Sequence, residues 1–114
     1  MNIQFLAPAR DELDEAVAYY NSQKEGLGFE FALEVRKTLG RIVEYPKAWS
    51  QLSKRTRRCQ TNRFPYGVIY HVKGMTLLIV GIMNLHQKPR NWEARITKGS
   101  GVLKALLEER RSGR

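Results

Sequence analysis

Residues 57–72 read RRCQTNRFPYGVIYHV. Arg57, Arg58 and Arg63 sit among polar residues, and an aromatic, β-rich run follows directly. A guanidinium is a planar fork that stays charged and grips phosphate or carboxylate with two prongs. A row of them at the mouth of a strand therefore suits an anionic counterpart, with Arg90 joining if the segment after the last strand folds back over the sheet. Proton-transfer candidates lie nearby: Tyr70 and His71 on opposite faces of one strand, and His86 shortly after the next. Metal-free RNA cleavage asks for such a set: a base for the 2′-hydroxyl, a cation for the extra charge on phosphate, and an acid for the leaving oxygen. Each residue also has a plainer role. The arginines pair with acids of a neighbouring helix, Tyr66 and Tyr70 pack in the core or on a sheet face, His71 is structural, and His86 is a satisfied loop histidine. No Cys/His cluster has metal-ligand spacing, and Gly26 and Gly28 lack the preceding strand and following lysine of a phosphate loop, so neither metal nor cofactor is expected.

These side chains need a scaffold, and the periodicity supplies one. Ile3 and Phe5 alternate with polar residues, as in a half-buried strand. Pro8 suits a first helical turn, and Leu13, Ala16, Val17 and Tyr20 make one apolar stripe, predicting a helix over residues 8–23. Gly26 and Gly28 let the chain turn. Phe31, Val35, Leu39 and Ile42 form a second stripe, which should stop near Glu44 because Pro46 disfavours a helical Tyr45. Strands are predicted over residues 57–62, 68–72 and 75–83, the last apolar throughout and therefore central, covered on both faces. The order β-α-α-β-β-β predicts an α+β domain, an antiparallel sheet with a helical hairpin on one side, over residues 1–96. Gly99-Ser100-Gly101 reads as a flexible joint leading to a short amphipathic extension in residues 97–114, with Val102, Leu103, Leu106 and Leu107 on its apolar side.

The bulk numbers agree with one domain. The 114 residues, 42% hydrophobic, suffice for one core without staples. The single cysteine, Cys59, reads as a buried thiol in a reducing compartment. No secretion signal is visible, and the longest apolar run is far short of the roughly 20 residues that span a bilayer, so no membrane attachment and a cytoplasmic location are expected. The net charge of +9 is lopsided: residues 1–50 carry −2 and residues 51–114 carry +11, with no acid between Glu44 and Glu93. Such a surface attracts phosphate backbones or acidic protein segments. Folding is expected to gather Arg57, Arg58 and Arg63 onto one accessible patch.

Several of these segments together resemble a known family. The paired Tyr19-Tyr20 on an acidic first helix, EGLGFEF opening the second, Tyr45-Pro46, the arginine strand, RFPYGVIYHV, the apolar strand and PRNW followed by Arg95 are similar to the RelE/ParE superfamily of type II toxin–antitoxin toxins, on its ParE-like, plasmid-stabilisation side. The resemblance covers residues 3–96. It implies a growth-inhibiting toxin held inactive by an acidic antitoxin, with either DNA gyrase or messenger RNA on the ribosome as target. It further implies that Arg58, Arg63 and His86 would be the catalytic set of a nuclease, and that Arg57, Arg58, Arg63, Lys88 and Arg90 would contact target or RNA. Leu13, Val17, Tyr20 and Arg58 would contact the antitoxin. Many relatives carry His-x-x-Arg-x-Pro-x-x-Trp after the last strand; anchored on Pro89 and Trp92, the histidine position holds Asn84 and the arginine position Gln87. An amide cannot shuttle protons, which favours the gyrase-directed branch. A ribosome-dependent nuclease and a non-toxic binding module on the same fold are the alternatives.

Overall fold

In a computed structural model, residues 1–97 are described. Two glycines set the first corner of the fold. Helix α1 spans Ala7–Gln23 and helix α2 spans Leu27–Glu44. Gly26 stands between them at φ +84°, a left-handed conformation that side chains resist. Gly28 lies inside α2, where a Cβ would meet Asn21 Cγ at 2.6 Å and run into the Val17 carbonyl. Its N–H donates to Asn21 Oδ1 at 2.8 Å. The hairpin therefore needs one glycine for backbone sign and another for close helix approach.

The sheet contains β1 (Asn2–Phe5), β2 (Ser50–Gln51), β3 (Arg57–Gln60), β4 (Tyr66–Lys73) and β5 (Thr76–Asn84), in the order β1-β5-β4-β3-β2. The α+β architecture and the doubly covered β5 follow the sequence reading, but the middle strand is β4, with β5 lying between it and β1. Two further features correct it. β1 runs parallel to β5, so the sheet is mixed rather than wholly antiparallel. The arginine strand ends at Gln60, because Thr61 turns the chain: its N–H and hydroxyl bond the Tyr66 and Phe64 carbonyls, both at 2.9 Å. Arg63 then sits in that turn at φ +70°, not on a strand.

The two sheet faces are closed differently. On one face Cys59, Val68, Tyr70, Leu77, Ile79 and Ile82 pack against Ala9, Ala16, Phe31, Val35 and Ile42 of the hairpin. Tyr20, Phe31, Phe64 and Tyr66 add an aromatic joint there, with Phe31 and Tyr66 ring centres 4.8 Å apart. Burial pushes the Cys59 thiol up from its ordinary pKa, as expected of a packing cysteine. On the other face Ile69, Val80 and Met83 pack against Trp92 and Ile96 of a helical segment at residues 92–97. Between Ile69 and Tyr70 the register slips from Gly81 to Ile79, leaving Val80 as the extra residue of a β-bulge. Gly81 leaves room for the Trp92 ring, which a Cβ would overlap. The proposed glycine joint at residues 99–101 and the apolar stripe beyond it lie outside the described residues.

Candidate functional site

The arginines of residues 57–63 do not form one patch. Neighbours on a strand alternate between faces, so Arg57 and Arg58 part. Arg57 Nη1 donates to the Trp49 carbonyl at 2.8 Å. The Arg58 stem crosses the opposite face over Gly67, where a Cβ would come 2.8 Å from Arg58 Cγ. Arg63 donates to Glu30 of α2 at 2.7 Å and lies over the Phe64 ring. The expected single patch is thus corrected to three separate environments, one of them an internal ion pair.

Three clefts stand out among the described residues. The largest of these three, about 490 Å³, follows the β5 edge and is lined by Glu12, Glu15, Tyr19, Tyr20, Tyr66, Asn84, Gln87, Lys88, Arg90 and Trp92. β1 covers β5 only as far as Ile79, so the strand edge beyond is bare of strand partners. Side chains take the strand's place there. Glu12 accepts from Ile82 N–H at 3.1 Å and from Arg95 Nη1 and Nη2 at 2.8 and 2.7 Å. Arg95 Nη1 also donates to the Val80 carbonyl of the bulge at 3.0 Å, and its guanidinium lies over the Trp92 ring. Arg90 stands 3.7 Å from the same Glu12 carboxylate. Desolvation raises the Tyr20 and Tyr66 pKa values from their ordinary 10.

A second cleft, about 310 Å³, brings Arg58 and Arg90 together beside Leu52, Met83, Pro89 and Trp92. The third, about 260 Å³, lies where β3 and β4 meet the chain after α2, and Arg57 lines it with Lys47, Lys54, Arg55 and His71. Tyr70, at the floor of this third cleft, donates to the Pro46 carbonyl at 2.6 Å; burial pushes its pKa up to about 12, with the nearby Arg57 charge working against the rise.

Asn84 and Gln87 share the largest cleft. His86 lines none of the three; it sits in an exposed turn, its N–H donating to Asn84 Oδ1 at 2.9 Å. His71 Nδ1 donates to the Arg55 carbonyl at 2.9 Å. Leu13, Val17 and Tyr20 are half-buried against the core, so the stripe assigned to the antitoxin is largely committed to the fold. The hairpin instead exposes Tyr19, Phe29 and Leu33. Among the described residues no group of three or more acids, histidines or cysteines is placed to hold a metal, and no helix is long and apolar enough to cross a membrane.

Sequence reading missed two carboxylate anchors. One is Glu12, whose helical face shows only in three dimensions. The other is Glu93, which binds the Ser53 hydroxyl and the Arg55 N–H and Nε, both Arg55 contacts at 2.8 Å. The Ser53 hydrogen bond first, then those from Arg55, pull its pKa down to about 2. A signal existed for Glu93, the first acid after a long acid-free stretch.

The sequence profile of the ParE toxin of type II toxin-antitoxin system, parDE, matches residues 3–89. The chain belongs to the ParE toxin family. A solved chain from the chromosomal ParDE TA system from P. aeruginosa superposes with a TM-score of 0.65 at 15% identity, over 75% of this chain and 96% of that one. At that identity the likeness speaks for the fold. No curated protein matches in sequence. As a ParE-family protein the chain is a toxin of a type II toxin–antitoxin module, and an antitoxin is its partner.

Proposed function

We propose that this ParE-family toxin arrests growth by binding DNA gyrase and has no nuclease chemistry of its own. One observation carries this reading: the positions that hold histidine and arginine in nuclease relatives are Asn84 and Gln87, both lining the edge cleft. Neither amide moves a proton at neutral pH. Glu12, the best-placed carboxylate of that cleft, is occupied by Arg95 and the Ile82 N–H. Purified protein should inhibit supercoiling by gyrase, and induced cells should filament with intact messages. Supercoiling untouched at high molar excess would overturn the proposal.

A second reading draws support from Arg58 and Arg90 sharing one cleft. Two guanidiniums there suit a scissile phosphate on ribosome-bound message, with His86 reaching in after a change of turn conformation. New message ends mapped by primer extension after induction, lost in Arg58→Gln, would favour it. For the antitoxin, an acidic segment that folds on binding fits exposed Tyr19, Phe29 and Leu33 of the hairpin, together with Arg58 at the sheet. Its association should slow as salt rises. A cytoplasmic location accords with these partners.

A further inference from the structure

We infer that the cleft at the β3–β4 end is a binding site for the sugar–phosphate backbone of nucleic acid. It gathers four cations from three chain segments, Lys47 after α2, Lys54 and Arg55 from the β2–β3 loop and Arg57 from β3, with the His71 ring of β4 beside them. No acid lines it. Among the described residues Lys47, Lys54 and Arg57 have no carboxylate partner, unlike Arg55, Arg63, Arg90 and Arg95. Like charges crowded without counter-charges repel one another and raise the local potential, which an incoming polyanion relieves.

The site is also pre-organised. Arg57 is oriented by the Trp49 carbonyl. The β2–β3 loop is closed by Leu52 N–H donating to the Thr56 carbonyl at 2.9 Å and by a Ser53–Thr56 hydroxyl contact at 2.6 Å. Glu93 grips the loop from behind through Ser53 and the Arg55 N–H, so Lys54 and Arg55 are presented from a fixed frame. Little ordering entropy then remains to oppose binding.

Cationic head groups sit over a lining that is mostly carbon, to which the stems of Lys47, Lys54, Arg55 and Arg57 contribute. An acidic peptide draws most of its affinity from side chains anchored in apolar pockets. Of the apolar side chains lining this cleft, Tyr70 is buried and only Val72 is exposed beyond a third, at 38%. Lysine and arginine contacts supply most of the sequence-independent hold on a phosphate backbone. The site lies apart from the Arg58–Arg90 cleft and does not depend on which target the toxin inhibits.

The test is direct binding by the full chain, followed by fluorescence anisotropy across a salt series. The probes are a short labelled DNA duplex, a single-stranded RNA and a polyglutamate peptide of matched charge. Lys47→Gln with Lys54→Gln should weaken nucleic-acid binding by about tenfold and lower the salt slope by about one per lysine removed. Lys24→Gln with Arg36→Gln removes the same charge from exposed positions on the helical hairpin and should change affinity less than twofold. The relative affinities for duplex and RNA identify the natural source of the phosphates. Equal loss in the two double variants, with unchanged melting curves, would overturn the assignment. So would polyglutamate binding at least as tightly and being released by the same lysine changes, which would make the cleft an acidic-protein surface.

Discussion

The β5-edge groove and the β3–β4 end cleft are both lined by cations, yet they are electrically opposite. In the groove, one carboxylate, Glu12, faces Arg90 and Arg95 and also serves a strand N–H. The charges there hold the protein together. In the end cleft no acid lines the surface, and of its cations only Arg55 is paired, with Glu93 from behind, while Lys47 and Lys54 are exposed. Positive charge along a chain is therefore not the same as positive charge on offer; what decides is whether a folded neighbour brings a carboxylate within reach.

The strongest way to break this contrast is to unlock the groove. Glu12→Ala strands a guanidinium that is only 17% exposed and leaves the Ile82 N–H without its acceptor. Breaking such a pair from one side costs about 3 kcal/mol, discounted toward about 2 for residual solvent. Urea unfolding should show the loss, and a cycle with Arg95→Met should show coupling of about 1 kcal/mol or more. Additive effects would mean that the pair is not the lock described.

A smaller effect is expected at Glu93, which ties the terminal helical segment to the loop of the end cleft. Its folded pKa of about 2 lies below the ordinary 4.5. A depressed carboxylate contributes stability above its unfolded pKa, and that contribution falls as pH drops through the window from about 4.5 to about 2. Melting temperatures of wild type and Glu93→Gln should therefore converge below this window and diverge above it. A constant difference at all pH values would deny the role of the charge.

The smallest effect on stability is expected at the end cleft itself. Lys47→Gln with Lys54→Gln should shift unfolding by no more than about 0.5 kcal/mol, because among the described residues neither lysine has a carboxylate partner to lose. A marked destabilisation would show these lysines to be structural after all.

Much of the fold was legible because local periodicity carried it. The stripes through Leu13 and Tyr20, and through Phe31 and Ile42, located α1 to within a residue and the end of α2 at Glu44, while Gly28, read as part of the turn, lies inside α2. The nine-residue apolar run marked the doubly covered strand. The two-residue β2 and the parallel pairing of β1 were not legible, since alternation in four residues sets a face but neither a partner nor a direction. The site was less legible than the fold. That Arg57 and Arg58 diverge follows from strand alternation alone, but that Arg63 leaves the strand depends on the Thr61 turn, and its partner Glu30 lies 33 residues away.

The order of amino acids by itself determined the helices, the buried strands, the charge imbalance and the amides at the would-be catalytic positions, because each is a property of nearby residues or of composition. Tertiary structure alone decided which cations are spent and which are free. An ion pair between Glu12 and Arg95 joins groups 83 residues apart, and no local rule reaches that far. The bulge at Val80, the end of β1 at Phe5 and the close seat of Trp92 on Gly81 bring those groups together.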